Sequence, residues 1–93
     1  MTITIAQPKE GLESRVAKPA RVILYNDDWH TFDEVIGQLV KAGACDAAEA
    51  ELHAWRVHTE GRSLVFHGAR RDCDRVAQVL REIRLQVEVD WDD

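Results

Sequence analysis

The spacing of apolar positions changes along this chain, and each change marks an element. Val22, Ile23 and Leu24 form a continuous apolar run inside the segment Arg21 to Tyr25, the pattern of a short buried strand. From Phe32 the apolar residues recur at Val35, Ile36, Leu39 and Val40, one face of a helix. Thr31-Phe32-Asp33-Glu34 matches a capping box at its start, in which hydroxyl and carboxylate each take the other residue's amide, and Gly43 supplies a stop. A second start follows at Asp46, with Glu49 three residues on. Ala47, Ala50, Ala54 and Val57 mark that helix's apolar face, and Gly61 ends it. Ser63 to Phe66 reads as a second strand closed by Gly68. Asp72 is placed to cap a third helix with Val76, Val79, Leu80 and Ile83 on its apolar side. Leu85, Val87, Val89 and Trp91 then alternate with Gln86, Glu88 and Asp90, a strand with one face buried and one wet.

The order is therefore β-α-α-β-α-β. It predicts an α+β fold, a two-layer domain with a three-stranded antiparallel sheet and the helices packed on one face. Residues 1–20 hold no sustained period, and Pro8, Gly11 and Pro19 interrupt them. They are expected to form a flexible N-terminal tail, an arm able to engage a partner. Met1 to Ala6 alternates as a weak strand with no local mate. Residues 21–93 make the core domain.

Composition narrows the picture. Ninety-three residues hold one domain at most, and 45% hydrophobic with 31% charged residues is ordinary for a soluble globular chain. The core is too small to surround a large cofactor, and none is expected. A net charge of −5 argues against a nucleic-acid partner, which calls for a basic stripe. Cys45 and Cys73 lie far apart without metal-type spacing and read as free thiols, with a lone disulfide between them as the alternative. The sequence predicts no membrane span and no secretion signal, so the expected location is cytoplasmic.

The densest chemistry lies in Asn26-Asp27-Asp28-Trp29-His30-Thr31-Phe32, between the first strand and the first helix. Amides and carboxylates crowded there suit a cation, and a peptide's free α-amine is one candidate. The plainer reading is a turn, because Asn and Asp hydrogen-bond their own backbone. A calcium loop would need alternating acids around a central glycine, which this segment does not have. His58 falls in the last turn of the second helix, within Val57-His58-Thr59-Glu60-Gly61, where it could simply complement the helix dipole. His53 and His67 show no partner pattern, and no paired ligands predict a metal site. Asp27 and His58 could form an acid–base pair. No nucleophile elbow or phosphate-binding glycine loop accompanies them, so no catalytic residue is assigned and no enzyme is expected.

These two motifs resemble the ClpS-type adaptors, small proteins that select N-degron substrates for the Clp AAA+ protease. That family's loop begins Asn-Asp-Asp-aromatic, and Val-His-x-x-Gly closes its second helix. Here they stand as Asn26-Asp27-Asp28-Trp29 and Val57-His58-Thr59-Glu60-Gly61, with an ungapped interval between them. The His-Thr-Phe-Asp-Glu-Val-Ile continuation is more similar to the ClpS-like domain of eukaryotic N-recognin ubiquitin ligases. The resemblance covers roughly residues 20–91 and implies a binding adaptor for bulky hydrophobic N-terminal residues. Its implied partners are N-degron substrate proteins and a Clp AAA+ unfoldase of the ClpA or ClpC kind.

The resemblance also implies site roles. Asn26, Asp27 and His58 would surround the α-ammonium. Asp28 and His30 would lie near the first peptide units. Leu24, Phe32, Val35, Ala54, Val57 and Leu85 would line the side-chain pocket. Phe32 and Ala54 stand where the bacterial adaptors usually carry methionines, and His30 replaces a usual threonine, so a reshaped pocket is expected. The alternative is a structural or interaction module of the same topology without an amine pocket. Asn26 and His58 facing different ways would favour it.

Overall fold

The computed structural model describes residues 19–91. The expectations for Met1–Ala6 and for most of the tail lie outside the described residues. Strand β1 runs Ala20–Tyr25, helix α1 Phe32–Lys41, helix α2 Ala47–Glu60, strand β2 Arg62–Gly68, helix α3 Arg70–Arg81 and strand β3 Gln86–Trp91. The element order and the α+β class are those read from the sequence.

β1 is the middle strand of the sheet, in the order β2-β1-β3, and pairs antiparallel with both neighbours. Its alternate residues Ala20, Val22 and Leu24 are fully buried under the helices. They join Leu39 from α1, Ala50, Ala54 and Val57 from α2, and Val76 and Leu80 from α3 in one core. Between Val22 and Ile23 the pairing with β2 slips: Val22 faces Phe66, but Ile23 faces Leu64. The extra residue, Val65, bulges into the core and is buried. Beyond the bulge, Ser63 also turns inward.

Local chemistry sets the helix ends. The Thr31 hydroxyl accepts from the Glu34 amide at 3.1 Å while Glu34 accepts from the Thr31 amide at 2.8 Å, the capping box read from the sequence. Asp46 accepts from the Glu49 amide at 2.9 Å to start α2. Gly61 ends α2 in the left-handed region, at φ 92°, where a side chain is strained. Gln38 Nε2 donates to the Val79 carbonyl at 2.6 Å and ties α1 to α3.

Five expectations are corrected. Val40, expected on the apolar face of α1, is exposed. Asp72 does not cap α3. β2 runs on to Gly68, so the connection shrinks to Ala69, which takes the cap position, and Asp72 falls in the first turn. Ile83 lies past the end of α3, in a turn that passes through a left-handed Arg84 at φ 66°. Ala47 is exposed, and its place on the buried face of α2 goes to His53. Trp91, expected on the buried face of β3, is 45% exposed at the strand's last position, with the Arg70 guanidinium 4.3 Å over its ring.

Candidate functional site

One backbone hydrogen bond brings the two sequence motifs together. The Asn26 amide donates to the Gly61 carbonyl at 2.9 Å, so the loop leaving β1 starts against the end of α2, next to His58. The bond closes a span that no local pattern displays. Between the loop, α1 and α2 lies a cavity of about 340 Å³. Its lining holds every candidate residue: Asn26, Asp27, Asp28, His30 and His58, and the apolar Leu24, Phe32, Val35, Ala54, Val57 and Leu85. Tyr25 and Thr31 complete it. Asn26 and His58 therefore line a common cavity rather than facing different ways.

The apolar part is the exposed end of the hydrophobic core. Leu24, Val35, Ala54, Val57 and Leu85 are all buried, and Phe32 is half-buried against them. The polar part sits at the mouth, where Asn26, Asp28 and His58 are exposed. An aromatic rim joins the two. The Phe32 ring meets Trp55 edge-on at 5.0 Å and His58 at 5.5 Å, and Trp55 lies 6.3 Å from His58. Trp55 is 53% exposed. Sequence reasoning passed over it, although its three-residue spacing from His58 put both on one side of α2.

Asp27 does the work of a turn residue. Its Oδ1 accepts from the amides of Trp29 at 3.1 Å and His30 at 2.9 Å. Its Oδ2 lies 2.6 Å from His30 Nδ1. Burial works to raise the Asp27 pKa, but the His30 amide and ring and the Trp29 amide outweigh it and hold the carboxyl below its usual range. A carboxylate has about four lone-pair sites, and the loop occupies three of them here.

His30 is anchored on both sides of its ring. The ring lines the cavity, yet its side chain is only 3% exposed and both nitrogens are engaged. Nε2 lies 2.6 Å from the carbonyl of Ile83, beyond the end of α3. A carboxylate and a carbonyl are both acceptors, so the ring meets them best as an imidazolium donating from each nitrogen. Burial opposes that charge, but Asp27, then the Ile83 carbonyl, outweigh it and raise the His30 pKa above the ordinary histidine range. No ring nitrogen is left for a peptide.

His53, which showed no partner pattern, is a satisfied core histidine. Ser63 Oγ accepts from Arg56 at 3.3 Å and lies 2.7 Å from His53 Nδ1, so the hydroxyl can donate to the neutral ring. Burial, then the Arg56 charge, push the His53 pKa down. Cys45 and Cys73 are free thiols. Among the described residues no group of three or more His, Cys, Asp or Glu side chains could hold a metal ion. Among them, too, no helix is long and apolar enough to cross a membrane.

A cavity with hydrogen-bond acceptors at its mouth and an apolar floor suits a ligand with a cationic head and a hydrophobic body. The family model for the ATP-dependent Clp protease adaptor protein ClpS matches residues 15–88. The chain is 37% identical over 59 residues to the human E3 ubiquitin-protein ligase UBR1, covering 63% of this chain and 3% of that protein. It is 42% identical over 53 residues to ubr-1 of Caenorhabditis elegans, covering 57% and 3%. The Drosophila melanogaster UBR1 gives 37% over 54 residues, covering 58% and 3%. The chain thus spans about 3% of the length of these relatives. With the polar loop, the Val-His-x-x-Gly turn and the cavity between them all inside the matched span, the chain belongs to the ClpS family of Clp protease adaptors.

Proposed function

We propose that this chain is an adaptor that holds the free α-amine and bulky hydrophobic first side chain of an N-degron protein and passes that protein to a Clp-type AAA+ unfoldase. The observation that carries the reading is the shared cavity: Asn26, Asp27 and His58 line the same pocket as the apolar Leu24, Val35, Ala54, Val57 and Leu85. An α-ammonium has three donors, and burying it unpaired is costly. The Asn26 amide oxygen, a His58 ring nitrogen and the remaining lone pair of Asp27 accept from it. Asp28, exposed beside them, meets the first peptide unit, while His30 braces the loop from behind. An internal residue has no ammonium to offer, so the site distinguishes a chain's start from its interior.

The first side chain enters below, beside Phe32. Burying one large apolar side chain contributes roughly 1.5–3 kcal/mol. The ubiquitin ligases that share this domain bear it as a small part of a much longer chain. Delivery to a Clp-type unfoldase rests on the family match.

The test is a pair of peptides, both beginning with Phe, one with a free and one with an acetylated amine. A hydrogen bond to a charged group contributes about 1.5–3 kcal/mol, and 1.4 kcal/mol is a factor of ten. Acetylation removes the charge and most of the donors, so affinity is expected to drop by tenfold or more. Equal binding of the two peptides would refute amine recognition.

A further inference from the structure

His30 bridges two parts of the pocket that are far apart in sequence. Its backbone amide and Nδ1 face Asp27 on the polar loop. Its Nε2 faces the carbonyl of Ile83, 53 residues away, at 2.6 Å. Ile83 is followed by left-handed Arg84 and then Leu85, which is buried and lines the cavity. One ring thus joins the Asn26–Asp27 loop to the turn that sets Leu85 in the apolar lining of the cavity. We propose that His30 is a positioning residue of this site, a doubly protonated strut that fixes the spacing between the Asn26–Asp27 loop and the Leu85 wall. This rests on the amine-binding reading and adds the element that holds its two halves in register.

Three observations support the strut. Both ring contacts are short, and both partners are acceptors, which only a doubly protonated ring satisfies fully. The side chain is 3% exposed, so water competes little for either bond. Trp29 covers the ring at a centroid distance of 3.9 Å. The charges that bear on the ring are Asp27 on its own loop and Glu34 in the first turn of α1, both favouring the imidazolium. From the α3–β3 turn, the exposed charges Arg81, Glu82 and Arg84 flank Ile83. Of these, Glu82 is paired with Lys41, and Arg81 donates to the Val87 carbonyl.

A strut that sets register differs from a simple stabiliser, because losing its proton moves both walls together. In the peptide-free chain, long-range proton–nitrogen spectra should show both His30 nitrogens protonated, with a midpoint above the ordinary histidine value of ~6.5. The Leu85 methyl and Asn26 amide signals should follow the same midpoint. In His30→Phe, which keeps a flat ring but removes both donors, that step should vanish from both signals. Loosening a site by ~1 Å can cost up to about a hundredfold, and this variant should bind a free-amine Phe peptide about tenfold or more weakly. A single-tautomer neutral His30, or Leu85 and Asn26 signals that ignore its titration, would overturn the proposal. So would peptide affinity in His30→Phe within about twofold of the original. The ring measurement needs no peptide, so it can fail or succeed apart from amine recognition. If the variant does not fold, the spectra of the unaltered chain still decide.

Discussion

Replacing Ala54 with methionine should change which first residue the pocket prefers. Ala54 is 3% exposed on α2, and its methyl group forms part of the floor of a cavity of about 340 Å³. That volume is at the small end of the range for pockets that enclose a drug-sized ligand, roughly 300–1,000 Å³, so each added atom matters. Methionine brings three more heavy atoms on a flexible stem and suits a helix interior about as well as leucine. The empty pocket can take the new side chain without disturbing the core, so the melting temperature should barely move. A large ring sharing that space meets an overpacking penalty of about 1–3 kcal/mol, which is roughly 5- to 150-fold in affinity. A leucine, shorter and able to rotate away, should lose no more than a few-fold. Anisotropy titrations with free-amine peptides beginning Trp, Phe and Leu, on the original chain and on Ala54→Met, measure the difference directly. An unchanged Trp-to-Leu affinity ratio would mean that Ala54 does not border the space where the first side chain sits, and the assignment of the floor would fall.

Two further expectations concern stability. Gly61 adopts φ 92° with open space where a Cβ would point, so Gly61→Ala costs only backbone strain, about 1–2 kcal/mol. At about 4–8 °C per kcal/mol for a domain of this size, thermal melting should drop by roughly 4–16 °C, and no change would rule out the strained cap. The pH dependence should have two arms. His53 is held neutral, its pKa lowered by burial and by Arg56, so stability declines as pH falls below the unfolded value of ~6.5. His30 has a raised pKa, so its contribution is full below ~6.5 and is lost as pH rises through the folded value. Denaturant melts across this range should show a maximum near the unfolded value, its alkaline arm absent in His30→Phe and its acid arm reduced in His53→Asn; arms unaffected by these changes would refute the assignment.

The elements were legible because each carries its own local signal. Thr31 and Glu34 declare the start of α1, Asp46 and Gly61 bracket α2, and the alternation from Leu85 declares β3. These signals act within a few residues, which is the distance that sequence patterns resolve. What failed depended on distance or on competition. The Asp72 cap was a sound local motif, overridden because pairing with β1 carried β2 as far as Gly68. His53 looked partnerless because Ser63 turns inward only after the bulge at Val65. The anchoring of His30 was not legible because its second partner, Ile83, lies beyond the far end of α3. The cavity as a whole, Ala54 and Leu85 above all, was legible through family resemblance. Residue pattern alone offered Asn26 and Asp27 as a turn or cation loop, and Asp27 with His58 as an acid–base pair.

The two readings of the polar loop, a turn or a cation site, are compatible, because the turn does not use up every acceptor on the loop. Thr31 and Glu34 lock its end onto α1, and Asp27 gives three acceptor positions to Trp29 and His30. His30 fastens the whole to Ile83. Asn26, Asp28 and His58 stay exposed at the mouth. Ordering a loop during binding subtracts from affinity, and a loop already held by its own side chains avoids most of that cost. The same residues that make the segment look like an ordinary turn are therefore what would let a few exposed acceptors hold one small ammonium well.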